Sequence, residues 1–164
     1  MNLFETYDGS KYRKRFYDAL KLYRNSDYEG ALAIFCEIVA EADVQDVYLN
    51  KYRSYEGLTR ICLGDKHAVE LCREAATEGL KDVEIQYNLA LAEYKLDNRH
   101  RAVLAVQRGL SIDARNPELR RLHALMGSRR APVISFLERD NTVNKWLGKL
   151  SYSKPGKPGK PGRS

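Results

Sequence analysis

The feature that most constrains the fold of this chain is an internal repeat of small residues set within helical apolar patterns. The small residues fall into two series of three, which are Ala19, Gly57 and Ala90, and then Ala31, Ala68 and Ala102. Within each series the members recur after 33 to 38 residues. Because small residues at fixed positions let neighbouring helices approach closely, the sequence predicts three successive helix pairs.

The apolar residues between these positions are spaced as on helices and not as on strands. Leu32, Phe35, Ile38 and Val39, for example, share one helical face. A polar break separates the two helices of each pair, at Asn25-Ser26-Asp27, Gly64-Asp65-Lys66 and Asp97-Asn98-Arg99. Since residues 12–127 contain no alternating run rich in β-branched residues, we expect an all-α fold.

A seventh helix is expected after the third pair. Asn116 is a good N-cap and Pro117 suits the first turn, and Gly127 is placed to end the helix. The expected apolar face consists of Leu119, Leu122, Leu125 and Met126. A repeat array needs such a terminal helix to cover its last apolar face.

The three units resemble the tetratricopeptide repeat family, whose period is about 34 residues. The best-matching unit runs from Tyr87 to Asn116, with small residues at Ala90, Ala102 and Gly109. The resemblance covers roughly residues 12–126. It implies a right-handed superhelical array of antiparallel helix pairs, with three repeats and a capping helix.

The sequence divides into four parts: an N-terminal arm at 1–11, the helical repeat domain at 12–127, a tail at 128–150 and a basic tail at 151–164. Within 128–150 an apolar stretch at 132–137 precedes a short amphipathic helix, predicted from the spacing of Val143, Trp146, Leu147 and Leu150. Trp146 is expected to dock on the array, on a partner or at a membrane surface. The last part repeats Lys-Pro-Gly and is expected to be disordered.

Charge is distributed unevenly along the chain. Residues 1–128 carry 19 Lys and Arg against 20 Asp and Glu, whereas residues 129–164 carry 9 against 2. A neutral repeat domain argues against nucleic-acid binding by that domain. The basic segment 129–164 leaves open a weak contact with anionic surfaces. An electrostatic tether to anionic lipid or nucleic acid is therefore the alternative function.

No constellation of residues in the sequence indicates an enzyme, a metal site or a cofactor. The histidines His67, His100 and His123 have no partner at a ligand spacing and are expected on the surface. Cys36, Cys62 and Cys72 lie in apolar helical patterns, so we expect three buried thiols in a reducing compartment, the cytoplasm. The sequence offers neither an apolar run long enough to span a membrane nor a signal-peptide pattern at its start.

Tyrosine is the residue type that points to function, because eight of the eleven tyrosines belong to the first helices of the pairs. In the resembling family the first helices line a concave face that holds protein partners. Carried over by register, the inward positions are Arg13, Phe16, Tyr17, Leu20, Arg24, Lys51, Tyr55, Leu58, Glu84, Tyr87, Asn88 and Leu91. Asn88 is expected to hydrogen-bond the partner backbone.

Some tyrosines must also fill the core between helices. We expect Tyr23, Tyr28 and Tyr94 in the core, and Tyr17, Tyr55 and Tyr87 in the groove. The basic cluster Lys11, Arg13, Lys14 and Arg15 is interpreted as a solvated helix face, with an anion-binding patch as the alternative.

The predicted function is a protein–protein interaction module: an adaptor, an assembly factor or a dedicated chaperone. It would bind an extended or helical segment of another protein in a tyrosine-rich groove, and no small-molecule substrate is expected. Tyrosine and arginine favour such a role because they bury a large area at low entropic cost.

Overall fold

The computed structural model describes residues 11–127, and its regular structure there is entirely helical. The seven α-helices are α1 (Arg13–Arg24), α2 (Tyr28–Glu41), α3 (Leu49–Cys62), α4 (Val69–Glu78), α5 (Val83–Lys95), α6 (Arg99–Ile112) and α7 (Pro117–Gly127). A 3-10 turn at Lys66–Ala68 precedes α4. The all-α prediction is confirmed for this part of the chain. The predictions for the arm before residue 11 and for the tails from residue 128 lie outside the described residues.

The turn inside each helix pair has the same backbone geometry. Ser26, Gly64 and Asp97 are left-handed, with φ of 65°, 98° and 59°. In each turn, the amide of the following residue donates to a carbonyl five residues back, at 2.9 to 3.0 Å. A left-handed residue after a helix end makes this bond possible, and glycine adopts that conformation without strain. The three polar breaks seen in the sequence are thus three copies of one turn.

The helices pack in chain order. Contacts join α1 to α2, α3 to α4 and α5 to α6, and further contacts join α2 to α3 and α4 to α5. In addition, α3 packs directly against α5. Ten of the fourteen residues of α3 are buried, because this helix has neighbours on several sides.

All six repeated small residues are buried, as the repeat predicts. The helices approach closely at Gly57, where an added Cβ atom would lie 2.8 Å from Cys72 Sγ and 2.9 Å from the Ala68 carbonyl oxygen. Any side chain there would force α3 away from the 3-10 turn and α4.

The seventh helix begins as predicted, since the Asn116 side chain accepts a hydrogen bond from the Leu119 amide at 3.0 Å. Leu119, Leu122 and Met126 are buried in the same apolar cluster as residues of α5 and α6. The prediction for Leu125 was wrong: this side chain is 61% exposed. The buried face of α7 therefore contains three of the four apolar residues that its sequence pattern predicts.

The cysteine prediction was only partly correct. Cys72 is fully buried, whereas Cys36 and Cys62 are half-buried, and all three are free thiols. The histidines His67, His100 and His123 are exposed, as expected. Of the helices between residues 11 and 127, none combines the length and the apolar character needed to cross a membrane.

Candidate partner-binding face

The first helices α3 and α5 bring several predicted site residues together through polar contacts. Lys51 Nζ in α3 lies 3.0 Å from Asp82 Oδ2 and 3.2 Å from Glu84 Oε2 at the start of α5. The Tyr55 hydroxyl donates a hydrogen bond to the other oxygen of Glu84. The Asn88 amide donates to Ser54 Oγ at 3.0 Å. These six residues are called the polar network below.

Lys51 is charged although its side chain is almost fully buried. Burial by itself lowers the pKa of Lys51, but Glu84 and Asp82 outweigh that effect and the net pKa is raised. A buried cation with two carboxylate partners is satisfied within the protein. Lys51 therefore fixes the start of α5 to α3 and presents no free charge to a partner.

Tyr55 is held in its neutral form. Burial raises the pKa of Tyr55 well above its ordinary value, and the adjacent Glu84 carboxylate raises it further. The Tyr55 ring also stacks on Phe35 at 5.6 Å between centroids and meets Phe16 edge-on at 5.4 Å. This tyrosine joins the polar network to the aromatic core.

Half of the predicted partner-binding residues are buried, which corrects the sequence-based assignment. The buried six are Phe16, Leu20, Lys51, Tyr55, Leu58 and Asn88. Each is at most 8% exposed, so it has almost no surface to offer a partner. The reason is that each first helix packs against more than one neighbour, so its inward positions are used in packing.

Asn88 illustrates the correction. We expected its amide to bond a partner backbone, but it is 1% exposed and bonds Ser54 Oγ instead. Ser54 in turn donates to the Lys51 carbonyl oxygen at 2.8 Å. Because the amide is buried, its hydrogen bonds must be made inside the protein.

The other six predicted residues keep solvent-accessible surface. They are Arg13, Tyr17, Arg24, Glu84, Tyr87 and Leu91. Arg24 is exposed and the remaining five are half-buried. Arg13, Tyr17 and Arg24 lie on α1, and Glu84, Tyr87 and Leu91 lie on α5, so Glu84 belongs to the polar network as well. We call these six residues, together with Tyr94 described next, the tyrosine face.

Tyr94 is the residue that the sequence-based assignment missed. It was expected in the core, yet it is 39% exposed at the end of α5. Tyr87, Leu91 and Tyr94 are spaced i, i+4 and i+7 and so share one face of α5. That spacing was the signal that could have identified Tyr94.

Tyr23 and Tyr28 were also expected in the core, and both are half-buried. The Tyr23 ring contacts Tyr28 at 5.4 Å and Tyr55 at 6.2 Å between centroids, and its hydroxyl lies 3.8 Å from Cys62 Sγ. Burial is the main reason that the pKa of Tyr23 is raised. Tyr23 packs against both apolar clusters and so joins α1 to the rest of the array.

The two half-buried tyrosines of the face are neutral at physiological pH. Burial raises the pKa of Tyr17, and the charges of Arg13, Glu84 and Lys51 also act on it. Burial likewise raises the pKa of Tyr87, which also lies within the fields of Glu118 and Arg121. Tyr87 also packs against the apolar cluster that contains Leu119 and Leu122 of α7.

In the basic cluster at the start of α1, Arg15 forms ion pairs with a neighbouring helix. This side chain lies 2.7 Å from Glu37 and 2.9 Å from Glu41 of α2, which largely neutralises it. Lys11 lies over the Tyr12 ring, with its amine 5.1 Å from the centroid. These contacts favour the interpretation as a solvated helix face.

Cys36 and Cys72 lack the lowered pKa of a reactive thiol. Burial raises the pKa of Cys72 to about 12, and burial together with Glu56 raises the pKa of Cys36, so both are neutral thiols. Within residues 11–127, no group of three or more His, Cys, Asp or Glu side chains is arranged to hold a metal ion.

No protein-family model matches the chain, and no curated protein sequence matches it.

Proposed function

We propose that this chain is a tetratricopeptide-like repeat protein, built as a right-handed superhelical array of antiparallel helix pairs with a capping helix. Three features support the proposal. The six small residues of the repeat are buried at helix contacts, the same turn occurs inside each pair, and α7 adds its apolar face to the last pair. Short connections between contacting helices favour antiparallel neighbours.

The proposed function is binding of an extended or helical segment of another protein on the tyrosine face, as an adaptor, an assembly factor or a dedicated chaperone. The observation that carries this proposal is that Tyr17, Tyr87, Leu91 and Tyr94 keep solvent-accessible surface, while Lys51, Tyr55 and Asn88 of the polar network are buried and paired within the protein. Such a surface offers aromatic anchors on a fixed support.

A fixed support lowers the free-energy cost of binding. Lys51 and Tyr55 both hold Glu84, and Asn88 is bonded to Ser54, so these side chains are ordered before a partner binds. Fewer side chains then lose conformational freedom on binding. Tyrosine anchors with a nearby arginine are the residue types that dominate binding energy in protein interfaces. Arg24, which is exposed, is an arginine of the tyrosine face itself.

The proposed location is the cytoplasm. Free thiols at Cys36, Cys62 and Cys72 fit a reducing compartment, and the proposal includes neither a cofactor nor a small-molecule substrate.

The experiment is to capture the partner with the full chain and then to measure its affinity for single variants. Tyr94→Ala is compared with Leu104→Ala, because Tyr94 and Leu104 are both 39% exposed but Leu104 lies on α6, outside the tyrosine face. We expect Tyr94→Ala and Tyr87→Ala each to weaken binding by roughly tenfold or more, and Leu104→Ala to leave it unchanged.

The same measurement separates this function from the electrostatic tether. Binding to the face should largely survive a rise in salt, whereas binding through the basic segment 129–164 should collapse over that range. If salt abolishes binding while both tyrosine variants bind normally, the proposed function is wrong and the tether takes its place.

A further inference from the structure

The connection between α2 and α3 exposes two valines. Val44 is 82% exposed and Val47 is 85% exposed, which makes them the most exposed large apolar side chains among residues 11–127. Single exposed apolar residues are common on protein surfaces, but two in one short connection form a small apolar surface. The conformation of the connection determines whether this surface is stable.

The connection is held by hydrogen bonds to its own aspartates. Asp43 Oδ1 accepts from the Gln45 amide at 2.8 Å, and Asp46 Oδ1 accepts from the Tyr48 amide at 2.8 Å. Two such turns in succession fix the backbone on both sides of the valines. The valines are therefore presented to solvent by a structured segment.

A second connection lies at the same end of the helices. Lys51, in the first turn of α3, lies 3.0 Å from Asp82 in the connection between α4 and α5. Leu80, two residues before Asp82, is 60% exposed. The exposed valines and Leu80 thus belong to one end of the array.

The charge at this end is negative. The two connections and their flanks, residues 41–48 and 78–84, carry six acidic residues and one lysine, Lys81, and the cations that form ion pairs with them are Arg15 and Lys51. Arg15 pairs with Glu41, and Lys51 pairs with Asp82 and Glu84. The acidic side chains left without an ion pair among the described residues are Asp43, Asp46 and Glu78.

We propose that this end of the array docks a basic, aliphatic segment of another protein. The surface consists of Val44, Val47 and Leu80 with Asp43, Asp46 and Glu78, and it is called the loop end. Aliphatic side chains of the partner would cover the exposed valines, and its lysines or arginines would face the unpaired carboxylates. The loop end shares no residue with the tyrosine face, so this is a second binding surface.

The test uses the full chain with labelled valine and leucine methyl groups, titrated with a synthetic amphipathic peptide of leucine and lysine. A matched peptide with glutamate in place of lysine is the control. We expect saturable shifts of the Val44, Val47 and Leu80 methyl signals with the lysine peptide only, and weaker binding as salt rises. The proposal is overturned by equal binding of both peptides or by the absence of saturable shifts at these methyl groups.

Two double variants complete the test. Val44→Ser with Val47→Ser should weaken binding of the lysine peptide by about tenfold or more, while Leu104→Ser should not. Asp43→Asn with Asp46→Asn keeps an acceptor for each turn and removes two charges, so it should also weaken binding without loss of helicity. Unchanged affinity in both double variants would overturn the proposal.

Discussion

The two apolar clusters of this protein fill the same repeated position with side chains of different size. The buried residue four positions after the small residue of each second helix is Phe35 in the first pair, Cys72 in the second and Val106 in the third. Phe35 belongs to an aromatic cluster of α1, α2 and α3, whereas Cys72 and Val106 belong to an aliphatic cluster that extends from α3 to α7.

The difference shows that the repeat keeps the positions of the helices but not the size of the side chains packed between them. Around Phe35 the space is filled by the rings of Phe16 and Tyr55, at 5.7 and 5.6 Å between centroids. Around Cys72 the helices come so close that Gly57 has no room for a Cβ atom. A large side chain and a close approach are two ways to reach the same packing density.

The largest expected effect tests the aromatic cluster. Phe35→Ala should lower the free energy of unfolding by roughly 3–5 kcal/mol, because it removes a fully buried ring and leaves a cavity among other rings. Val106→Ala at the matching position of the third pair should cost clearly less, since fewer buried atoms are lost. Urea unfolding followed by circular dichroism measures both, and equal costs would contradict the comparison.

A second prediction tests close approach in the aliphatic cluster. Ala102 is fully buried, so Ala102→Leu should overpack the contact and lower the free energy of unfolding by about 1–3 kcal/mol. The exposed Ala33 on α2 provides the control, and Ala33→Leu should change stability little. If Ala102→Leu unfolds at the same urea concentration as the parent, the third pair is not tightly packed there.

The third prediction concerns the polar network that links the two clusters. The folded-state pKa of Tyr55 and that of Lys51 are both raised, so the native state retains protons that the unfolded state loses. The stability that these two groups contribute is therefore fully present below about pH 10, and it is lost as pH rises above the ordinary values of 10.0 for tyrosine and 10.5 for lysine.

Tyr55→Phe removes the titrating hydroxyl of Tyr55 and leaves the ammonium group of Lys51 as the other contribution. Above pH 10.5, the slope of unfolding free energy against pH should become shallower by about 1.4 kcal/mol per pH unit. Unfolding curves at several alkaline pH values measure the slope, with Tyr94→Phe as the exposed control. The same slope in Tyr55→Phe and in the parent would show that Tyr55 has the same pKa in the folded and unfolded states.

The smallest expected effect on stability is at the tyrosine face. Tyr94→Ala should change the free energy of unfolding by less than about 0.5 kcal/mol, because the side chain is 39% exposed and lies at the end of α5. Thermal unfolding measures this change. A large loss would mean that Tyr94 supports the core and is unsuited to the partner-binding role.

The sequence alone predicted the helices, the order of the pairs and the positions of the small residues. These features depend on signals that lie close together along the chain, such as helical spacing, polar breaks and the Asn116 cap. They are local, so they can be read without knowing which helices meet. The predicted all-α structure follows directly from them.

Only the tertiary structure decided which residues of the first helices remain on the surface. Helical spacing identifies a face but does not show how many neighbours pack against it, so Tyr55 and Asn88 were assigned to the groove and Tyr94 to the core. Buried Tyr55 donates a hydrogen bond to Glu84, 29 residues away in the chain, and buried Asn88 donates one to Ser54, 34 residues away. Burial of polar side chains depends on such distant partners, because a buried hydroxyl or amide is stable only where another helix supplies its hydrogen bond.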